Sequence, residues 1–482
     1  MKPNTSISLK IALVGSSQLS FPGDKTGRFR KSASELKAYL SVHGAELYVY
    51  DKTVITAEDA RSSLKAIESE KPDFLLVQCT SYSGGFLAQV YIKAGIPLGW
   101  WAIPEGNPGG VMEYNSFCSI NMFQAIARNY YNDESPKIKW FFGEVDDPLF
   151  KDRLEITIKA LKAIKRLKTS KIALVGGIAP GFNDLYFDER KVLRRFPGME
   201  YNRLHEFSEI ANRVRSYKDS DVTSLAEEIS GKATGTKNEA KSYHLLNAKF
   251  IKAYREFIAE YKYDAIAVSC WPKFQDEFDY SICSVLGGLN DEGIIAACEG
   301  DVFGAISMLM LTEIAAQPAT LMDMTNFDQK DETVLMWHCG PAPSCYAKGG
   351  YNLAVNYNGK THTSDCPLNC CGVTRDMVFK PGKITIGRIA GECNQMFIAG
   401  GSFIDYDKPS YHGSRGWLGD LSFTCEKISA LNLTNTIMAY GFAHHYPLVW
   451  GNYEPVLMEV SAWLGLKPME KVEYKDWLQV QR

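Results

Sequence analysis

The sequence predicts an α/β protein with two doubly wound parallel-sheet domains, followed by a mostly antiparallel β C-terminal domain with a few helices. Three observations predict this fold class. The hexapeptide KIALVG occurs twice, at 10–15 and 171–176, each time as an apolar run that ends in glycine. Amphipathic helical stretches alternate with further apolar runs up to about residue 330. Beyond that point apolar and polar residues alternate, which is typical of an antiparallel sheet.

The predicted parallel strands are apolar runs that end in small polar residues. Besides the two KIALVG runs they include DFLLVQCTSYSGG at 73–85 and DAIAVSCWP at 264–272. Uninterrupted apolar runs are typical of parallel strands that helices cover on both faces. Helical periodicity predicts helices at 32–44 and 247–263 between them. The order strand, helix, strand therefore repeats, as in doubly wound sheets.

The C-terminal third has a different pattern of apolar and polar residues. YNLAVNYNGKTHT at 351–363 and GKITIGRIAGECNQMFIAGGSFI at 382–404 alternate apolar with polar residues and are interrupted by glycine and asparagine. This pattern predicts a β-barrel or sandwich, with late helices such as the one at 454–466. At ~150 residues per domain, the 482 residues suggest about three domains. We place them at 1–168, 169–328 and 329–482.

Composition favours a protein that acts on small molecules. Hydrophobic residues make up 45% and charged residues 23% of the chain, and the net charge is −3, with Lys and Arg scattered. Such a balance gives no clustered basic charge that would indicate binding to nucleic acid or to an anionic membrane surface. No apolar window reaches the length of a membrane span, and the N-terminus lacks the pattern of a secretory signal. We therefore expect a cytoplasmic protein.

The twelve cysteines are irregularly spaced, and several lie inside apolar runs. They predict buried thiols in a reducing compartment rather than a disulfide framework. One cluster, HTSDCPLNCC, holds His362, Cys366, Cys370 and Cys371. Its spacing matches none of the usual pairs of zinc ligands, so loop cysteines are the expected interpretation and the role of the 362–371 segment stays open.

A lone glutamate interrupts two apolar runs in GIIAACEGDVFGAISMLM at 293–310. We expect a strand at 293–298, a helix at 301–317 and a strand at 319–324, which together form a βαβ unit. Glu299 and Asp323 would then stand at the carboxyl ends of parallel strands, ~4.8 Å apart if those strands are neighbours. Two such carboxylates repel, so one takes up a proton or both share a cation.

A simpler interpretation of both acids exists. Glu299 precedes a helix, where the helix dipole favours an acid, and Asp323 could form a turn. A pair of histidines shifts the balance, because His444 and His445 lie in the apolar and aromatic stretch MAYGFAHHYPLVWG. A lone histidine there is more often a core residue. An imidazole beside carboxylates suits a cation such as Mn²⁺.

These residues resemble a known family. The run ACEGD, an acid 24 positions later in LMDM, and AHH near the C-terminus are similar to the Mn²⁺-dependent L-fucose isomerase and L-arabinose isomerase superfamily. LVGSSQ at 13–18 looks like the N-terminal Gly-Ser-Gln segment of arabinose isomerases, and QCTSYSGG at 78–85 falls where they carry a substrate-facing loop. The resemblance covers nearly the whole chain, although its specific motifs are short.

The resemblance implies a site. Glu299, Asp323 and His445 would bind Mn²⁺, or another divalent cation such as Co²⁺ or Mg²⁺, and Glu299 and Asp323 would also be the acid/base pair. The second acid is Asp, as in fucose isomerases. His338, in MWHCG, lies where arabinose isomerases place a further histidine ligand, and His444 could take the place of His445.

The implied chemistry is aldose–ketose isomerisation, an intramolecular oxidoreduction. A proton moves between adjacent carbons through an enediolate, which a divalent cation stabilises while carboxylates transfer protons. No organic cofactor is needed. The turn GGIAPG at 176–181 lacks both the GxGxxG pattern and the lysine of a phosphate-binding loop, which disfavours a nucleotide-dependent enzyme.

The substrate is less well determined than the reaction. L-Fucose, D-arabinose or L-arabinose are the sugars that the resemblance implies. An anionic 6-substituted aldose such as sulfoquinovose is the alternative, because the chain departs from both named enzymes around WHCGPAP and HTSDCPLNCC. A non-catalytic sugar-binding or sensor protein, or an inert protein with a structural metal, are the other classes. Candidate substrate-binding residues are polar or aromatic: Gln18, Tyr82, Trp271, Gln275, Trp337, His338 and His444.

The resemblance also implies a hexamer in which N-terminal residues of one subunit complete a neighbour's pocket. The aromatic-rich segments 97–106 and 116–131 give some independent support, because they offer more apolar surface than a monomer normally exposes; the alternative is burial within one chain. We therefore expect Gln18 and Tyr82 to approach Glu299 of a different subunit.

Overall fold

The chain forms two compact units in the computed structural model, which describes residues 7–131, 137–355 and 372–479. The first unit comprises residues 5–162 and the second residues 163–482. The second unit contains both the predicted central domain and the predicted C-terminal domain. The three predicted domain limits stay predictions.

The first unit is built on a five-stranded parallel sheet of order β2-β1-β3-β4-β5. Its inner strands are apolar and wholly buried, as the sequence predicted. Helix α1 begins earlier than its periodicity indicated, because Asp24 accepts a hydrogen bond from the Gly27 amide and so caps it. The strands are β1 Leu9–Ser16, β2 Ala45–Val54, β3 Phe74–Cys79, β4 Leu98–Ala102 and β5 Ile138–Phe142; the helices are α1 Lys25–Val42, α2 Ala57–Ser69, α3 Gly85–Tyr91, α4 Ser116–Tyr130 and α5 Pro148–Lys168.

The second unit begins with a four-stranded parallel sheet of order β10-β9-β6-β7. The second KIALVG run forms its inner strand β6, just as the first run forms β1. The strands are β6 Lys171–Val175, β7 Glu200–His205, β8 Gly235–Thr236, β9 Ala265–Val268 and β10 Ile295–Ala297, of which β8 pairs outside this sheet; the helices are α6 Glu189–Arg195, α7 Phe207–Ser216, α8 Thr223–Lys232, α9 His244–Tyr261, α10 Lys273–Phe278, α11 Cys283–Asp291 and α12 Val302–Ala315.

The rest of the second unit is a closed antiparallel barrel. Six strands pair in the circular order β11-β12-β17-β16-β15-β19, and β19 pairs with β11 again. Closure leaves these six strands without a free edge. The strands are β11 Thr320–Asp328, β12 Thr333–His338, β13 Asn352–Val355, β14 Val373–Val378, β15 Gly382–Ala390, β16 Gln395–Phe403, β17 Ser414–Phe423, β18 Glu426–Lys427, β19 His445–Trp450 and β20 Lys467–Pro468; the helices are α13 Gly391–Asn394, α14 Ala430–Tyr440 and α15 Glu454–Leu464. The predicted fold class is confirmed.

Helix α12 joins the parallel sheet to the barrel. It contacts β9 and β10 on one side and β15 and β19 on the other. Most of its residues are buried, which explains why its sequence is apolar on all sides rather than on one stripe. The residues just before α12 therefore lie where the two sheets meet.

The predicted βαβ unit is correct in its first two elements and wrong in its third. Strand β10 and helix α12 form as expected, but β11 belongs to the barrel, where it pairs antiparallel with β12 and β19. Glu299 and Asp323 therefore do not stand on neighbouring parallel strands. An apolar run after a helix suits either sheet, and the pairing that decides between them is not local in sequence.

The described cysteines are free thiols, as predicted. Five of the nine are buried: Cys79, Cys283, Cys298, Cys339 and Cys393. The His362, Cys366, Cys370 and Cys371 cluster lies outside the described residues. Every helix in the described parts of the chain is too short or too polar to cross a bilayer.

Candidate active site

Three neighbouring barrel strands carry one side of the site, which we call the barrel side: Asp323, His338 and His445. Asp323 on β11 lies directly opposite His445 on β19 and directly opposite Trp337 on β12. Directly opposed residues of antiparallel strands share one face of the sheet. His338 is the last residue of β12, and its ring lies 5.6 Å from that of His445 in a stacked arrangement. Backbone register therefore fixes Asp323 and His445, and the ring contact with His445 places His338 beside them.

The other side comes from the turn between β10 and α12 and from a nearby loop; we call it the turn side, and it consists of Glu299, Asp301 and Asp184. Glu299 has a φ of 61° and Gly300 a φ of 76°, so the chain makes a left-handed turn. A non-glycine residue in this conformation costs roughly 1–2 kcal/mol. A Cβ at Gly300 would lie 2.4 Å from the Gly177 carbonyl oxygen, which makes glycine necessary there.

His445 is wholly buried and presents one nitrogen to the site. Its Nδ1 lies 2.9 Å from Asp301 Oδ2. Because an ionised carboxylate only accepts hydrogen bonds, Nδ1 carries a proton, so that Nε2 is the atom with a lone pair whenever the ring is neutral. That Nε2 lies 3.3 Å from Glu299 Oε2 and 3.7 Å from Asp323 Oδ1. His445 thus directs a lone pair between the two carboxylates.

His444, the next residue, is arranged in the opposite way. Its Nδ1 lies 2.6 Å from Asp184 Oδ2 and its Nε2 lies 3.0 Å from Glu299 Oε2. Both nitrogens therefore donate to carboxylates, which requires the protonated ring. Burial would lower the pKa of His444, but the hydrogen bonds to Glu299 and Asp184 raise it to about 9. With 36% of its side chain exposed, His444 is a cationic partner of Glu299 rather than a donor of a lone pair.

Asp301 positions His445. It is wholly buried, caps helix α12 through the Gly304 amide at 2.8 Å, and receives two hydrogen bonds from Arg388 at 2.5 and 2.9 Å. Burial would raise the pKa of Asp301, but the charge of Arg388 and the hydrogen bond from His445 hold it well below its usual range. A carboxylate behind a histidine fixes the tautomer and orientation of the ring.

The surroundings shift the pKa values of Glu299 and Asp323, the two facing carboxylates, in opposite directions. Burial would raise the pKa of Glu299, but the hydrogen bond from His444 and the nearby imidazole of His445 lower it to about 2. Burial raises the pKa of Asp323, and the nearby imidazoles of His338 and His445 offset this only in part. Such a split is typical of catalytic acid/base pairs.

Several buried polar atoms at the centre of the site have no hydrogen-bond partner among the described residues. They are Asp323 Oδ1, His338 Nε2 and His445 Nε2. Ligand atoms of Glu299, His338 and His445 all lie within 4.8 Å of one another, as do those of Asp323, His444 and His445. Unsatisfied buried polar groups are costly, and carboxylates with imidazoles suit a divalent cation of the borderline-hard kind. The residues present therefore fit such an ion.

His338 differs from His445 in the nitrogen that faces the site. Its Nδ1 accepts a hydrogen bond from the Cys339 amide at 2.8 Å. In the neutral ring the proton then resides on Nε2, the atom that faces the site. As arranged, His338 offers a hydrogen-bond donor, whereas His445 offers a lone pair.

Of the other predicted substrate-binding residues, Trp337 lies at this site, whereas Trp271 and Gln275 lie in the loop and the helix that follow β9. Trp337 lies beside Asp323 by register, and its Nε1 donates to the His412 carbonyl at 2.7 Å. Trp271 follows β9 and is joined to Pro272 by a cis peptide bond. Gln275 is buried, and its Nε2 donates to Ser281 Oγ at 3.2 Å, so its amide supports its own loop.

The remaining two, Gln18 and Tyr82, belong to the first unit. The backbone N–H of Gln18 donates to Ser81 Oγ at 3.0 Å, and the Tyr82 ring lies 5.8 Å from that of Phe21. Both follow the carboxyl ends of parallel strands, where ligands of such sheets collect. Their predicted approach to Glu299 of another subunit, and the hexamer itself, stay predictions.

Sequence reasoning missed Asp184, Asp301 and Arg388. An Asp immediately before an apolar helix is the signature of an N-cap, so Asp301 could have been placed beside the turn from its position alone. No local pattern marks Asp184 or Arg388, since each reaches its partner across more than 80 residues of sequence.

Comparison with known proteins identifies similar enzymes. The chain is 25% identical over 427 residues to the sulfoquinovose isomerase of Priestia megaterium, covering 86% of this chain and 90% of that enzyme. It is 26% identical over 430 residues to the sulfoquinovose isomerase of Alkalicoccus urumqiensis, with the same coverage. For that of Clostridium sp. strain MSTE9 it is 24% identical over 443 residues, covering 91% and 94%. No protein-family model matches.

Similarity to solved structures adds nothing to this. An ABC transporter solute-binding protein from Agrobacterium vitis, bound with α-D-tagatopyranose, shares 14% identity over 64% of this chain and 90% of its own, but the TM-score is 0.17. That value is too low to support a structural relationship. The sulfoquinovose isomerases match nearly the whole chain, and with them the predicted enzyme class, an aldose–ketose isomerase, is confirmed.

Proposed function

We propose that this chain interconverts sulfoquinovose and its ketose. All three relatives named above are sulfoquinovose isomerases, and the match extends over at least 86% of the chain. The sulfosugar therefore has better support than the neutral sugars L-fucose, D-arabinose and L-arabinose. Shared ancestry at this level of identity supports a reaction more firmly than a substrate, so the sugar needs its own test.

One observation carries the proposed reaction. Two carboxylates and two imidazoles from separate elements converge on one point, and three of their buried polar atoms lack a partner among the described residues. A folded protein does not usually leave such atoms unsatisfied unless a ligand takes them. A sugar-binding protein without catalysis would need hydroxyl partners but no pair of facing carboxylates.

The residues suited to hold a divalent cation, with Mn²⁺ as the first candidate and Co²⁺ or Mg²⁺ as alternatives, are Glu299, Asp323 and His445. His445 is favoured over His444 because only His445 directs a lone pair inward. When bound, such an ion supplies Lewis acidity that makes the carbon-bound proton of the sugar more acidic. His338 completes the group as a hydrogen-bond donor through Nε2.

The two carboxylates divide the proton transfers in this proposal. Asp323 Oδ1 has no hydrogen-bond partner among the described residues, which makes it available to take the proton from carbon as general base. Glu299 Oε2 is already approached by both His444 and His445, which keeps it ionised and in place. His444 and Asp184 then form a hydrogen-bonded path from Glu299 to the protein surface, along which the hydroxyl proton can exchange.

The test is turnover by the purified full-length chain with Mn²⁺ and a panel of aldoses. Sulfoquinovose should give its ketose, followed by ¹³C NMR, and in D₂O deuterium should enter at C1 of the ketose and at C2 of the aldose that is re-formed. Glu299→Gln is the matched inactive control. Faster conversion of L-fucose, D-arabinose or L-arabinose would overturn the proposed substrate. Binding of the sugar by calorimetry with neither ketose nor deuterium exchange would instead support the non-catalytic sugar-binding class.

A further inference from the structure

Two buried thiols meet behind the barrel side of the site. Cys283 is the first residue of α11, and Cys339 follows directly after β12. Their Sγ atoms lie 2.9 Å apart, although 56 residues separate them in sequence. A disulfide bond is ~2.05 Å long and needs no more than a sub-ångström approach from here. Their relative exposures are 3% and 8%.

The pair contacts residues on both sides of the site. Cys339 Sγ lies 3.1 Å from His338 Nδ1, and the Cys339 amide donates to that same nitrogen. On another side Cys339 contacts Cys298, the residue that precedes Glu299. A displacement of Cys339 would therefore change the contacts of the His338 ring and of the residue at the start of the left-handed turn.

We propose that Cys283 and Cys339 form an oxidisable dithiol that closes to a disulfide on reaction with a peroxide. The Cys339 sulfur, the more exposed of the two, attacks one peroxide oxygen as its thiolate; the O–O bond breaks and gives a sulfenic acid and, after proton uptake, water. The Cys283 sulfur then displaces the hydroxyl group, which leaves as a second water, and the S–S bond forms. Two thiols lose two electrons and two protons in all, and one hydrogen peroxide is reduced to two waters.

Formation of this bond should reduce activity without unfolding the chain. The new bond draws Cys339 Sγ toward α11 and away from His338 Nδ1, which loses a contact that holds its ring. Effects of this kind on supporting contacts of an active site typically amount to 10–100-fold. The expected loss of activity rests on the proposed isomerase function, whereas formation of the disulfide does not.

Peptide mapping of the intact protein tests the bond. The full-length chain is treated with hydrogen peroxide, quenched, alkylated and digested without reductant. Mass spectrometry should find a peptide linking Cys283 to Cys339, two hydrogens lighter than the separate peptides, and dithiothreitol should remove it. The proposal is overturned if Cys118, Cys345 and Cys425, which are exposed, become oxidised while Cys283 and Cys339 stay thiols. A link from Cys339 to any other cysteine would also overturn it.

Two variants separate the outcomes. Cys283→Ser removes the second thiol, so Cys339 should stop at the sulfenic acid, which dimedone traps, and no linked peptide should form. Cys345→Ser alters an exposed thiol nearby in sequence and should form the link as the wild type does. Where turnover is measurable, peroxide should inhibit the wild type and Cys345→Ser reversibly but spare Cys283→Ser. If the linked peptide forms without any change in activity, the Cys283–Cys339 disulfide stands and its proposed effect on the site is overturned.

Discussion

The barrel side and the turn side of the candidate site meet at the same point but are built differently. Asp323 and His445 are held by the ladders of three neighbouring strands, and within the described parts of the chain Asp323 Oδ1 makes no hydrogen bond. Glu299 and Asp301 occupy a left-handed turn and are held by bonds from His444, His445, Arg388 and a helix amide. One side is positioned by backbone pairing and the other by side-chain partners.

The two sides therefore differ in what they provide. The barrel side holds its reactive atoms rigidly, and the charge of the turn side is set by its partners. A strand register cannot shift by a fraction of a residue, so the barrel side keeps its reactive atoms in place without using their hydrogen-bonding capacity. The turn side needs partners to hold it, and those partners set its charge. Substitutions at the shared centre should therefore abolish function, whereas substitutions in the supporting partners should have graded effects that reveal which side they support.

The largest effect should come from removing the cation that both sides would share. Exhaustive chelation should abolish isomerisation, since the facing carboxylates then lose what joins them, and Mn²⁺ should restore it. Mg²⁺ should restore less, because it favours oxygen ligands over the imidazole of His445. Activity and metal content are measured on the same samples. Full turnover by a sample shown to be free of metal would remove the basis for the shared centre.

One acid from each side gives the next largest effect. Asp323→Asn and Glu299→Gln should each lower kcat by at least ~10²-fold, the low end for general acid–base groups. The near-isosteric amides should leave the unfolding midpoint in urea almost unchanged. Asp328→Asn, at the far end of the same strand as Asp323, is the control and should retain activity, since it weakens an ion pair with Lys408 and keeps an oxygen to accept from the Lys330 backbone N–H. Near-normal turnover of both amide variants would instead favour the helix-end and turn interpretation of these acids.

A supporting residue of the turn side should have an intermediate effect. Asp301→Asn removes the charge behind His445 Nδ1 and permits the wrong tautomer of the ring. Mn²⁺ affinity, measured by electron paramagnetic resonance titration, should fall ~10–100-fold, the usual range for such partners. Arg388 then lacks its carboxylate, so the unfolding free energy should be measured beside the affinity. An unchanged affinity in a folded variant would mean that Asp301 serves α12 alone.

The smallest effect should follow loss of the outer partner of His444. Asp184→Asn leaves a ring that is already partly exposed, where solvent replaces a lost ion pair worth roughly 0.2–1 kcal/mol. We expect a change of a few-fold in kcat and none in metal affinity, unlike Asp301→Asn. Asp188→Asn, which weakens the ion pair with Arg190 but keeps a side-chain oxygen to cap α6, is the matched control. A loss of metal affinity equal to that of Asp301→Asn would erase the distinction between the two histidines.

Local sequence predicted most of the elements but not all of their partners. The two KIALVG runs, the strand before Glu299 and the apolar helix after it are short-range patterns, because burial on both faces leaves a periodic or continuous apolar signature. Strand β11 was assigned to the wrong sheet for the converse reason. Its residues are equally suited to either sheet, and only the ladders with β12 and β19 determine its place.

The candidate site shows the same division. Glu299, Asp323, His444 and His445 could be named from the sequence, because charged or titratable residues among apolar runs are unusual enough to be noticed, and His338 was added by the family resemblance. Their roles could not be separated. His444 and His445 are adjacent and chemically identical, and only the positions of Asp184 and Asp301 distinguish the cationic ring from the one with a free lone pair.

By itself the sequence determined the fold class, the strands and helices that surround the site, and the residue types from which the chemistry is built. These follow from burial patterns and from the cost of placing charge among apolar residues, both of which act over a few neighbouring positions. Tertiary structure alone decided that a parallel-sheet turn faces a closed barrel, that Arg388 holds Asp301, and that Cys283 meets Cys339. Such contacts join residues 56 or more positions apart, and no local pattern encodes which distant partner a side chain will find.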